Sequence, residues 1–249
     1  MADKNELHPP KGWVDGMVPT MNGTGFMFER IDAYAEEFIE YAGSIDDEVL
    51  EMGCAYGVTT ILALSAGAKV RACDLDERHI EILKSRVPEK LRKELTCQQA
   101  KLPDVDLPAN HFGAIFCSRV FHFLRGDDID ASTRNMYRWM KPGGKLFLVA
   151  DTPYGIWRKF IPTWEANQAN GERWPGWMEP AMDYLPFSSS RKSKQMPFMN
   201  LQDPDLLART CTEAGFNVER TTFIARPDFG EQGRMDGREN CGLLAIKPA

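Results

Sequence analysis

The apolar positions of this chain switch repeatedly between two periods. Over residues 29–42, Ile31, Tyr34, Phe38, Ile39 and Tyr41 recur at helical spacing, and the stripe stops before Gly43. Residues 49–52 then read as a first strand. Residues 58–66 predict a helix closed by Gly67, and 69–73 a second strand. A helix over 76–86 follows, with Ile80, Ile82 and Leu83 inward, and Pro88 opens a short helical piece before a strand at 95–99. Further strands are expected at 112–117 and 145–150, separated by a helix that starts on Asp127, Asp128 and Asp130 and runs to about residue 140. Asp203 as a cap with Pro204 at the first helical position predicts another helix, ended by Ala214 and Gly215. Residues 216–225 and 241–247 read as a last pair of strands. Residues 1–28, rich in Gly, Pro and Met, read as an arm without elements. Strands alternating with helices predict an α/β domain.

Within that pattern, Val49-Leu50-Glu51-Met52-Gly53-Cys54-Ala55-Tyr56-Gly57 reads as a strand ending in a glycine-containing turn that opens a helix. Arg71-Ala72-Cys73-Asp74-Leu75-Asp76 is a second strand ending in a carboxylate. In an open α/β sheet this places a nucleoside pocket at the carboxyl ends of the first two strands. Gly53 and Gly57 let backbone approach a ligand, and Asp74, 17 residues beyond Gly57, can accept from ribose hydroxyls. A dinucleotide fingerprint would need glycines at 53, 55 and 58. Ala55 and Val58 occupy two of those places, so a pyrophosphate cradle is not expected.

The pattern Glu51-x-Gly53-x-Ala55-x-Gly57 resembles the first motif of the class I S-adenosylmethionine-dependent methyltransferases, with Ala55 where the middle glycine usually stands. Gln99-Ala100-Lys101-Leu102-Pro103, Phe112-Gly113-Ala114-Ile115-Phe116-Cys117, Val120-Phe121-His122-Phe123-Leu124 and Met140-Lys141-Pro142-Gly143-Gly144-Lys145-Leu146 are similar to later segments of that family, in the same order over residues 48–150. Gln99 stands where an acidic residue is usual. The resemblance, to the small-molecule type, implies a Rossmann-like, seven-stranded, mostly parallel sheet with helices on both faces and an antiparallel last strand. It also implies S-adenosyl-L-methionine as cofactor, held by Glu51, Gly53, Ala55, Gly57, Asp74, Leu75, Gln99, Ala100 and Cys117.

The resemblance fades outside that core. Residues 1–249 are expected to form one domain, with an N-terminal arm and helix over 1–45 and a lid or substrate insert over 152–201. The insert is too long for a connection and holds four of the six tryptophans, Trp157, Trp164, Trp174 and Trp177, joined by Tyr154, Phe160, Tyr184, Phe187 and Phe198. It also carries the polar, basic run from Ser188 to Lys194. Part of this aromatic set is expected to line an apolar acceptor pocket, against the plainer reading that it is the insert's own core.

Six scattered cysteines without a C-x-x-C pair predict neither a disulfide framework nor a metal site. A net charge of −6 argues against a nucleic-acid partner. No apolar run reaches the roughly 20 residues of a membrane span, and the polar Met1–Glu6 start carries no signal core, which predicts a cytoplasmic protein. His122 is the one candidate for a general base, although packing at a helix start is the preferred reading; His8, His79 and His111 are expected on the surface. The expected reaction is methyl transfer to a small or medium apolar, aromatic or acyl-containing acceptor. A tRNA or protein methyltransferase, and a cofactor-binding member that does not methylate, remain as rivals. Acceptor atom and oligomeric state stay open.

Overall fold

A computed structural model describes residues 7–12, 16–186 and 197–249. Phe187 and the Ser188–Lys194 run lie outside the described residues. The chain opens with a hairpin of two short strands, β1 (Met17–Pro19) and β2 (Phe26–Phe28), where an arm without elements was expected. Helix α1 (Ala33–Ser44) starts four residues later than its apolar stripe, because the Asp32 side chain accepts from the Ala35 amide and fixes the cap there.

Then come β3 (Glu48–Met52), α2 (Val58–Ser65), β4 (Lys69–Asp74) and α3 (Glu77–Arg86), the last capped by Asp76. A 3-10 turn over Glu89–Glu94 leads into β5 (Leu95–Gln99), followed by β6 (Phe112–Ser118) and α4 (Gly126–Trp139). Strand β7 (Met140–Asp151) starts five residues before its expected beginning. Its early residues are held by the C-terminal end, where Lys247 Nζ donates to the Met140 carbonyl at 2.8 Å and Gly143 N–H to the Lys247 carbonyl.

Residues 152–201 contain α5 (Ile161–Ala169) and the two-residue strands β8 (Trp177–Met178) and β9 (Met199–Asn200), paired antiparallel. Helix α6 (Pro204–Glu213), capped by Asp203 as its sequence predicts, leads to β10 (Asn217–Ile224) and β11 (Asn240–Ile246).

The main sheet runs β10-β11-β7-β6-β3-β4-β5. Strands β3 to β7 are parallel, and β11 is antiparallel to both its neighbours. The sheet is covered on both faces, so Val49, Leu50 and Met52 of β3 are all buried, whichever face they point to. Leu50 and Met52 pack with Ile115, Trp139 and Leu148 on one side. Val49 packs with Ala63, Val70 and Phe147 on the other, where Phe38 of α1 stacks on Phe116 at 5.0 Å. No described helix is long and apolar enough to cross a membrane.

The insert's aromatics form a separate cluster. Trp157, Phe160, Trp164, Met178, Met199 and Leu201 bury one another, and Leu206 of α6 ties the cluster to the domain. Trp174 packs instead against the main core, and Trp177 stacks on Phe198 at 4.6 Å.

Candidate active site

The carboxyl ends of β3, β4, β5 and β6 converge on a cavity of about 310 Å³. Its floor is the turn after β3. Gly53 has φ +84°, and a Cβ added there would stand 2.4 Å from Val120 Cγ2, so only glycine lets this turn close on the end of β6. Ala55 also adopts a left-handed conformation, φ +44°, held by its amide donating to Asp74 Oδ2 at 2.8 Å.

Asp74 ends β4 with its carboxylate almost buried. Oδ1 accepts from the Asp76 amide and pairs with His79 Nδ1, both at 2.9 Å, while Oδ2 takes Ala55. Three protein donors fill three of about four acceptor positions of a carboxylate. Glu51, buried at the end of β3, accepts from the Thr60 hydroxyl of α2. Removal from water pushes its carboxyl up to about 7, with nearby Asp74 adding to the rise and Thr60 opposing it.

This donor set discriminates among cofactors. The amides of Gly53 and Cys54 both donate to the Cys73 carbonyl, Ala55 to Asp74, and Gly57 to the Cys54 carbonyl. A pyrophosphate would find those amides committed and two carboxylates beside it. A nucleoside bearing a positive charge finds acceptors where it needs them. The residues present therefore fit S-adenosylmethionine and do not fit a dinucleotide.

The far wall is apolar, formed by Met52, Phe116, Val120, Phe123 and Leu124. Arg119 interrupts it in a left-handed conformation, φ +57°. Its guanidinium reaches Asn240 Oδ1 at 2.9 Å and Asp32 Oδ2 at 3.3 Å, and its Nε is buried without a partner. The roof is the β1–β2 hairpin, which contributes Thr20, Asn22, Phe26, Met27 and Phe28. Phe28 stacks on Phe229 at 5.0 Å, and the guanidinium groups of Arg119 and Arg226 lie 4.7 and 5.0 Å from its ring centre.

Of the residues singled out in the sequence, Glu51, Gly53, Ala55, Asp74, Leu75 and Ala100 line the cavity. Three do not. Gly57 lies in the same turn, but its missing Cβ makes room for Leu83 of α3, 2.1 Å away, rather than for a ligand. Gln99 ties the next loop down by donating to the Leu75 carbonyl at 2.9 Å. Cys117 points into the core while its strand neighbours Phe116 and Ser118 face the cavity, as alternation along a strand requires, and burial pushes its thiol up.

His122 is buried outside the cavity lining, with Nδ1 accepting from the Asp151 amide at 3.2 Å and its pKa lowered by burial. It packs, and does not face the site. His79, expected on the surface, is 1 % exposed and lines the cavity. Its signal was present in the sequence: three residues past the Asp76 cap, it lies on the turn of helix that faces back toward Asp74. No described residue of 152–201 lines the cavity; the roof comes from the opposite end of the chain.

With this geometry in view, likeness to known proteins can be placed. Residues 49–144 match a family model described as a methyltransferase domain. A cypemycin N-terminal methyltransferase from a Streptomyces species is 28 % identical over 107 residues, which is 42 % of this chain and 42 % of that protein. The match thus spans well under half of the relative's length. Among solved structures, the glycopeptide N-methyltransferase MtfA bound to sinefungin superposes with a TM-score of 0.57 at 19 % identity, covering 87 % of this chain and 86 % of that one. A methyltransferase from Methanosarcina mazei gives 0.62 at 15 % identity, over 82 % and 93 %. These likenesses place the fold.

Proposed function

From the premise that this chain carries a class I, S-adenosylmethionine-dependent methyltransferase domain, we propose that it transfers a methyl group to an amine on a small or medium-sized acceptor with an apolar or aromatic flank. When bound, the cofactor supplies an electrophilic methyl on a sulfonium; the chain supplies orientation and electrostatics. Asp74, Leu75 and Ala100 would hold the nucleoside, and Glu51 and Gly53 the amino-acid end. The apolar wall and the roof exclude water from the space between them.

The observation that carries the choice of an amine is the state of the titratable groups in the lining. Glu51 is bonded to Thr60, Asp74 takes three donors, and both ring nitrogens of His79 are engaged. Lys101 pairs with Asp104 at 3.2 Å. None of these is free to take a proton from a hydroxyl, so a nucleophile with its own lone pair near neutral pH is favoured. The names of the cypemycin and glycopeptide relatives, both nitrogen methyltransferases, support the same reading. The N-terminal enzyme also favours a second form of it, in which the amine is a peptide amino terminus.

Transfer of labelled methyl to a panel of apolar amines, hydroxyl analogues and short peptides with free or acetylated amino termini tests this. Methylation of hydroxyl acceptors with none of amines would overturn it.

A further inference from the structure

One anchor of the roof hairpin over the cavity is the backbone of Met21. Its N–H donates to His79 Nε2 at 3.0 Å, and its carbonyl accepts from Arg78 Nη2 at 3.0 Å. Arg78 is itself held by Asp76, with Nε 2.9 Å from Oδ1. Beside this, Tyr56 packs edge-on against the His79 ring at 5.0 Å and donates its hydroxyl to the Pro19 carbonyl at 2.8 Å.

A backbone N–H can only donate, so His79 Nε2 must be the acceptor and the ring proton must sit on Nδ1, where it donates to Asp74 Oδ1. The imidazole therefore joins two groups that do not touch each other: the carboxylate that ends β4 and the backbone of the roof. We propose that His79 is a positioning residue that couples ligand contact at Asp74 to closure of the 19–28 roof. This rests on the nucleoside-binding reading of the cavity. A hydroxyl drawn onto Asp74 holds the carboxylate in place, the carboxylate holds the imidazole upright, and the imidazole holds Met21. In the reverse direction, a seated roof fixes Asp74 before the ligand arrives.

Two substitutions separate the two bonds. His79→Asn places an amide donor near the Nδ1 position and keeps the link to Asp74, but has nothing at Nε2. His79→Gln places a carbonyl near the Nε2 position and can accept from Met21, but gives up Asp74. Hydrogen exchange of residues 19–28 is followed without ligand and with S-adenosylhomocysteine, whose dissociation rate is measured alongside, with thermal unfolding as the check on folding. His79→Asn is expected to exchange faster in the roof and to release S-adenosylhomocysteine about tenfold faster; His79→Gln restores much of the protection without ligand, and no longer passes ligand binding on to the roof. A folded His79→Asn variant with wild-type roof exchange and wild-type release would overturn the proposal. If both variants fail to fold, His79→Phe replaces them under the same readouts. Should S-adenosylhomocysteine not bind the unaltered protein, the cofactor reading fails by itself, while roof exchange without ligand still tests the anchor.

Discussion

Asp74 cannot be removed as a ligand contact alone, because its oxygens organise the turn after β3, the start of α3 and the His79 ring. Asp74→Ala is expected to cost about 2–4 kcal/mol of stability in urea unfolding, from three lost bonds to a charged acceptor, and to weaken S-adenosylhomocysteine binding by more than about tenfold. An unchanged unfolding midpoint would show that the turn stands without it. Glu51 presents a different balance. Its carboxyl is raised from 4.5 to about 7 by burial, so between those values the folded chain keeps a proton that the unfolded chain has released. Stability should fall as pH rises through that window and level off above about 7. Glu51→Gln removes the slope and should add about 1–3 kcal/mol at pH 8. Affinity for S-adenosylmethionine, a net cation, should rise through pH 7 in the unaltered protein and stay flat in the variant, as calorimetric titration across pH will show.

At the scale of elements, the insert and the roof exchange the roles their sequences implied. Trp157, Trp164 and Phe160 pack inward, and the cavity is covered by two strands of three residues each. Trp164→Ala is therefore expected to cost about 3–5 kcal/mol of stability and to leave the affinity of the folded fraction for S-adenosylhomocysteine unchanged; a large affinity loss in folded protein would return the insert to the site. The helices and parallel strands were legible because each carries its own signal, such as the Asp203–Pro204 cap or the strand-then-glycine-turn of residues 49–57. The hairpin has no period to read. Met17–Pro19 and Phe26–Phe28 are too short, and what fixes them is remote: Tyr56, Arg78, His79 and Phe229. The same holds within the site. Glu51, Gly53 and Asp74 sit in a local pattern, whereas Arg119 becomes a site residue only when separate strand ends meet. Cys117 and Gln99 lie outside the cavity lining, because a match to a motif gives a position in the chain and not the direction of a side chain.

For the molecule as a whole, the cavity joins the sheet, helices α2 and α3 and the N-terminal hairpin, so ligand binding should stabilise more than its own lining. At S-adenosylhomocysteine concentrations about 100 times the dissociation constant, the linkage gain is about 2.7 kcal/mol, a rise in Tm of about 5–11 °C for a chain of this size. NAD should produce no rise, given the committed amides of the β3 turn; a shift with NAD alone would reverse the cofactor assignment.

The order in which the chain emerges gives the roof a further property. The hairpin is made before the residues that seat it, and the Tyr56, His79 and Arg226 contacts to it and to the segment after it span 37, 58 and 196 residues. Closing loops of that length costs entropy before any contact repays it. The roof is thus among the last parts to settle, after the sheet beneath it has formed. A shortened chain ending before Arg226 would carry the recognisable domain of residues 49–144 under a cover with nothing to clasp its far side.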